Sequence, residues 1–203
     1  MKILITGFEP FASSDVNSSW EAAVRVMQMP PKGVNVQIRQ IPVSFRDAGD
    51  AIRDILTRLR PDVLIMLGQR GKGLSIDIER IAVNLMDSVN SDNDGFCPQE
   101  QLITLDGKMA YFSNLPVKAL RDALLKKNIP VKVSNSAGLY VCNSTYYNAL
   151  KVIDELELPT KTVFVHLPKI SDKFPIELLS ESVSVIIETI RDYQLINDVE
   201  NYD

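Results

Sequence analysis

The chain has 203 residues, 45% of them hydrophobic, which is enough for one domain with a sizeable core. Twenty-two Lys and Arg residues stand against 26 Asp and Glu, and the basic residues are scattered among acidic ones, so no nucleic-acid footprint is present. No apolar run is long enough for a signal-peptide core or a membrane span, which leads us to expect a cytosolic protein with no membrane partner and with Cys97 and Cys142 as free thiols.

Short apolar runs bounded by turn residues predict buried parallel strands over Lys2–Thr6, Val34–Ile41, Val63–Leu67, Val131–Ser134 and Thr162–Leu167. The first helix is expected from Ser18, where Ser18-Ser19-Trp20-Glu21 matches a capping box, to the stop at Pro30-Pro31. A second carries Ala48, Ile52, Ile55, Leu56 and Leu59 on one stripe and ends before Pro61. A third runs from Val117 to Leu125, a fourth from Cys142 to Leu156, and a fifth from about Pro175 to Leu195. Leu74–Leu85 alternates like a strand or hairpin arm, and the polar run Asp87–Gly95 reads as an exposed loop.

Alternation of strand and helix predicts a single α/β domain over residues 1–203, three layers with a twisted, mostly parallel open sheet between helices. The last eight or so residues are expected to form a loosely held tail. No internal repeat or linker interrupts the chain.

Open α/β sheets gather ligands at the carboxyl ends of their strands, which directs attention to Gly7–Asn17, Gly68–Gly73, Ser134–Cys142 and the segment after His166. Cys142 follows a strand and a small-residue turn and opens a helix. There the positive end of the helix dipole and free backbone N–H groups favour thiolate and can stabilise an oxyanion. A thiol nucleophile needs a base, and His166 is the chain's single histidine, at the carboxyl end of an apolar strand. Glu79, acidic within a strand-like run, is the candidate to orient the imidazole; its competing reading is a solvated glutamate. One histidine and two cysteines at these spacings match no familiar zinc pattern, so neither metal nor cofactor is expected. Gly68-Gln69-Arg70-Gly71-Lys72-Gly73 satisfies no phosphate-loop pattern and reads as a turn that positions Gln69.

Several segments together resemble type I pyroglutamyl peptidase, a family of cytosolic cysteine peptidases that remove N-terminal pyroglutamate. They are Thr6-Gly7-Phe8-Glu9-Pro10-Phe11, Asn17 through Trp20-Glu21-Ala22, Leu67-Gly68-Gln69, Glu79-Arg80-Ile81-Ala82-Val83-Asn84, Ser136-Ala137-Gly138 through Val141-Cys142-Asn143, and Val165-His166-Leu167-Pro168. The resemblance implies Cys142 as nucleophile, His166 as general base and then acid, and Glu79 as orienter. It implies Phe8 and Phe11 as apolar walls around a pyrrolidone ring, Tyr140 and Val141 nearby, and Asn17 and Gln69 as polar recognition groups. It also implies peptide substrates with N-terminal pyroglutamate and a homotetramer.

The chain departs from the family pattern in places. Val89 stands where an active-site arginine is expected, Asn90 where an apolar pocket residue is expected, and Tyr140 where phenylalanine is usual. Arg70 and Lys72 are added charges in the neighbouring loop, and a role in replacing the lost arginine is one expectation. These departures keep two alternatives open: a family member with an altered amide substrate, or a weakly active or inactive protein that binds a small molecule or partner.

Overall fold

A computed structural model of the chain describes residues 1–11, 14–71 and 73–200, the last seven by backbone alone. Its elements follow in order as β1 (Lys2–Phe8), α1 (Ser18–Gln28), β2 (Asn35–Ile41), α2 (Asp47–Leu59), β3 (Val63–Arg70), β4 (Ile76–Glu79), β5 (Ile81–Val83), β6 (Ala110–Phe112), α3 (Val117–Lys126), β7 (Val131–Ser134), α4 (Val141–Glu155), β8 (Lys161–Pro168) and α5 (Ile176–Glu200). The expected tail falls largely on residues whose side chains, or whose whole placement, lie outside the described residues.

Six strands form one sheet in the order β2-β1-β3-β8-β4-β7. Its pairings are parallel except for β4 with β8, which run antiparallel. This is the expected mostly parallel sheet, and its central strands are buried on both faces, as near-continuous runs such as Val63–Leu67 require. One core cluster joins α1, α3 and α5 to the sheet through residues such as Ala22, Leu120 and Ile186. A second joins α2 and α4 through Ile52, Tyr146 and Phe164. The helices therefore form two outer layers, and each fully buried large apolar side chain contributes about 1.5–3 kcal/mol relative to exposure.

Helix ends follow local chemistry. Arg60 closes α2 with a left-handed φ of 41°, its N–H bonded to Leu56 O, before Pro61 forbids continuation. The expected capping box gives way to a cap one residue earlier. Asn17 is extended and its Oδ1 accepts from Ser19 N at 3.1 Å, so Ser18 already lies inside the helix. A second correction concerns the alternating run from Leu74. It contains two strands rather than one: β4 belongs to the main sheet, and β5 leaves it to pair with β6. The reversal falls at Arg80, whose backbone N–H donates to Ser134 O while its carbonyl accepts from Ser113 N.

The strand order places β2 and β3 on opposite sides of β1. A crevice opens at such a switch point, outside the carboxyl ends of β1 and β3. Phe8 ends β1 there, and Gln69 lies one residue before the end of β3.

Candidate active site

His166 is held by register on both sides. On β8 it pairs with Gly68 of β3 and with Asp77 of β4. Side chains two residues apart on a strand share a face. Gly68 and Arg70, Phe164 and His166, and Asp77 and Glu79 therefore all project from the same face of three adjacent strands. The Phe164 ring lies 4.9 Å from the imidazole, centroid to centroid.

Glu79 is the carboxylate that meets the histidine. Its Oε1 lies 2.8 Å from His166 Nδ1, and the two residues are 0% and 4% exposed. The solvated reading of Glu79 is thereby excluded. With Nδ1 on the carboxylate, Nε2 is left for Cys142. Burial opposes charging of His166, but hydrogen bonding to Cys142 and Glu79 and their negative charge outweigh it, raising its pKa from 6.5 to about 9.

Cys142 is the second residue of α4, with Tyr140 as an extended N-cap that makes no side-chain capping bond. Gly138, at φ 79°, makes the turn that leads into the helix. The Asn143 and Ser144 amides bond Tyr140 O, so those of Val141 and Cys142 precede the first helical bonds. Asn143 pins the helix start to β5, accepting from Val83 N and donating to Val83 O and Leu85 O. Gly68 makes room for the sulfur. A Cβ there would sit 2.8 Å from the Phe164 ring and 3.1 Å from Cys142 Sγ.

Beside Cys142 lies a small cavity of about 40 Å³ lined by Phe8, Phe11, Asn17, Val43, Gln69, Tyr140, Val141 and Cys142. All six side chains expected to bind substrate are present. The two expected polar groups differ in what they have to offer. Asn17 spends its amide on the fold, Nδ2 donating to Glu9 O and Oδ1 accepting from Ser19 N and Ser19 Oγ. Gln69 Oε1 accepts from Ser18 N at 2.9 Å, while its buried Nε2 has no partner among the described residues.

Val43 was missed by the sequence reading. It lies just past the carboxyl end of β2, the position that marked the other candidate loops, and that loop was the one left out. Val89 and Asn90 do not line the cavity; Val89 is 93% exposed. Their loop is nevertheless anchored. Buried Asp92 accepts from Phe45 N, Asp94 N and Phe96 N, Asn93 Nδ2 donates to Glu9 Oε1, and the Tyr140 hydroxyl donates to Ser91 O at 2.9 Å. The expected exposed loop thus has a fixed middle. Arg70 turns to Asp77, Glu79 and Ser136 O. Lys72 lies outside the described residues. Among the described residues no three His, Cys, Asp or Glu side chains gather as a metal-binding group, and no helix is long and apolar enough to cross a membrane.

Comparison with known proteins matches residues 1–192 to the model of the pyroglutamyl peptidase family. The chain belongs to that family. It is 39% identical to a pyrrolidone-carboxylate peptidase of Thermococcus onnurineus, over 93% of this chain and 98% of the relative. It is 36% identical to one of Bacillus licheniformis, over 100% and 94%. Among solved structures, pyrrolidone carboxyl peptidase from Thermococcus litoralis superposes with a TM-score of 0.90 at 30% identity, covering 97% of this chain and 96% of that one. Pyroglutamyl peptidase I from Bacillus amyloliquefaciens gives 0.87 at 29%, covering 93% and 96%. Membership makes this chain a cysteine-type omega peptidase, and the family acts on N-terminal pyroglutamyl peptides.

Proposed function

We propose that Cys142, His166 and Glu79 form a catalytic triad that hydrolyses the amide bond following an N-terminal pyroglutamyl residue. The observation that carries this reading is the buried Glu79–His166 contact at 2.8 Å, with Cys142 on the other side of the imidazole and at the edge of the small cavity. The cavity suits a neutral lactam. Phe8, Phe11, Val43 and Val141 offer apolar contact, Gln69 Nε2, without a partner among the described residues, can donate to the ring carbonyl, and no charged side chain is among the lining residues. A free α-ammonium would be desolvated there without a partner.

In the first half-reaction the Cys142 proton passes to His166 Nε2 and the thiolate sulfur attacks the pyroglutamyl carbonyl carbon. An imidazolium beside a sulfur favours the thiolate. The backbone N–H groups at the start of α4 face the developing oxyanion. Collapse breaks the C–N bond, and His166 gives its proton to the departing amine. Water, deprotonated by His166, then attacks the thioester; pyroglutamate leaves and the proton returns to sulfur. Throughout, Glu79 holds Nδ1 and balances the imidazolium charge. The family resemblance supports a homo-oligomeric, cytosolic enzyme.

The test is release of chromophore from a pyroglutamyl amide by the pure protein. Wild type turns the substrate over, and Cys142→Ala lowers kcat by about 10⁴-fold or more. An inert wild type, or equal turnover by Cys142→Ala, refutes the reading.

A further inference from the structure

Arg70 has no part in the chemistry just described, yet it makes three polar contacts beside it. It pairs in register with Pro168, two residues beyond His166 on β8. From there its guanidinium reaches across β8 to β4: Nη1 donates to Asp77 Oδ2 at 2.7 Å, and Nη2 donates to Glu79 Oε1 and Ser136 O, each at 3.2 Å. Both carboxylates are almost completely buried, with side chains 3% and 0% exposed, while Arg70 is 32% exposed. Asp77 and Glu79 are neighbours on one strand face, and Arg70 is the cation that bridges them, whereas Lys132 Nζ, 3.6 Å from Asp77 Oδ2, reaches Asp77 alone.

We propose that Arg70 is a positioning residue of the triad, bridging Asp77 and Glu79 so that the Glu79 carboxylate stays aimed at His166 Nδ1. The proposal rests on the triad reading above. Glu79 Oε1 is the shared atom, accepting from both Arg70 Nη2 and His166 Nδ1. Arg70 therefore acts in two ways: it holds the carboxylate in place, and it competes with the imidazole for its charge.

The titratable groups around His166 come from four elements. Arg70 lies on β3, Asp77 and Glu79 on β4, Cys142 and Tyr146 on α4, and Lys132 on β7 behind Asp77 at 3.6 Å. Among these, Arg70 is the cation in direct contact with Glu79. Its removal has a definite sign. The unbalanced carboxylates hold a proton to higher pH, which moves the acid limb of activity upward. Once they ionise they hold the proton on His166 to higher pH, which moves the alkaline limb upward too.

The experiment measures kcat/KM for a pyroglutamyl amide and the rate of Cys142 alkylation by iodoacetamide, both against pH, with labelling at Cys142 read separately from Cys97 by mass spectrometry. In Arg70→Met both limbs rise by about one unit and kcat falls about tenfold. KM is unchanged because Arg70 is outside the cavity lining. Arg70→Lys retains the charge and keeps the limbs within about 0.3 unit of wild type. Should Arg70→Met not fold, Asp77→Asn serves instead; it removes a negative charge, and both limbs fall.

Wild-type limbs in the folded variant, in turnover and alkylation alike, overturn the proposal. So does a loss of stability with no change in pH dependence, since that is what a purely structural arginine would give. A wild type that fails to turn over the amide while Arg70→Met still shifts the alkylation profile refutes the peptidase reading and retains the role of Arg70.

Discussion

Two regions that meet the residues around Cys142 are built on different principles. The imidazole side is framed by the sheet: His166 is flanked in register by Gly68 and Asp77, and Glu79 is fully buried. The Ser88–Phe96 side is a loop whose Val89 is 93% exposed, and its position depends on separate anchors at Ser91, Asp92 and Asn93. Backbone ladders fix reacting groups within fractions of an ångström, as proton transfer requires. Loop anchors reach the cavity through Tyr140, whose hydroxyl donates to Ser91 O. The difference predicts that damage on the sheet side appears in kcat and damage on the loop side in KM.

The sharpest break of this division is Glu79→Gln. It preserves shape and removes the charge that balances the imidazolium, so kcat falls by about 10³–10⁴-fold. KM for a pyroglutamyl amide holds within about twofold, because Glu79 does not line the cavity. Val89→Ala, on the opposite side, leaves both constants at the wild-type value. Steady-state kinetics of the two variants side by side decide the matter: a kcat for Glu79→Gln within tenfold of wild type defeats it.

The same buried pair makes stability depend on pH. The folded pKa of His166, about 9, exceeds its ordinary 6.5 because its bonds to Cys142 and Glu79 outweigh the burial that opposes its charge. Its charged form therefore favours the folded state, fully below about pH 6.5 and progressively less as pH rises toward 9. The full swing is about 3 kcal/mol. Unfolding free energies of wild type and His166→Gln, followed from pH 6 to 10, converge by that amount across this window. A gap that stays constant, or widens with pH, contradicts it.

Much of this side was readable in the amino-acid order. A single histidine after Val163-Phe164-Val165, a cysteine after a small-residue turn, and an acidic residue in an alternating run marked themselves by type and by their place at strand or helix ends. The contact of Arg70 with Asp77 and Glu79 was not readable, because it depends on β8 lying between β3 and β4, and strand order is a property of the whole fold. The division of Leu74–Leu85 into β4 and β5 left a trace: the apolar residues Ile76 and Ile78 are followed by Ile81 and Val83, a slip of phase at Arg80, where the partner strand changes from β7 to β6. Asp92 sits in a polar run that looks solvated, and its burial follows from three backbone N–H groups that the loop's own turns and Phe45 present to it. Val43 needed only a consistent application of the strand-end rule.

The smallest expected effect tests the loop side at one atom. Tyr140 closes the cavity beside Cys142, its ring packed edge-on against Phe45 at 5.3 Å, and its hydroxyl donates to Ser91 O. Tyr140→Phe keeps the ring and the packing and removes that one tether, worth about 0.5–1.5 kcal/mol. The loop has other anchors in Asp92 and Asn93, so it loosens at one point and remains attached. KM for a pyroglutamyl amide rises about two- to fivefold while kcat changes by less than twofold, since the hydroxyl reaches neither His166 nor Glu79. A fall in kcat with unchanged KM would place Tyr140 functionally with the sheet side and remove the division between the two regions.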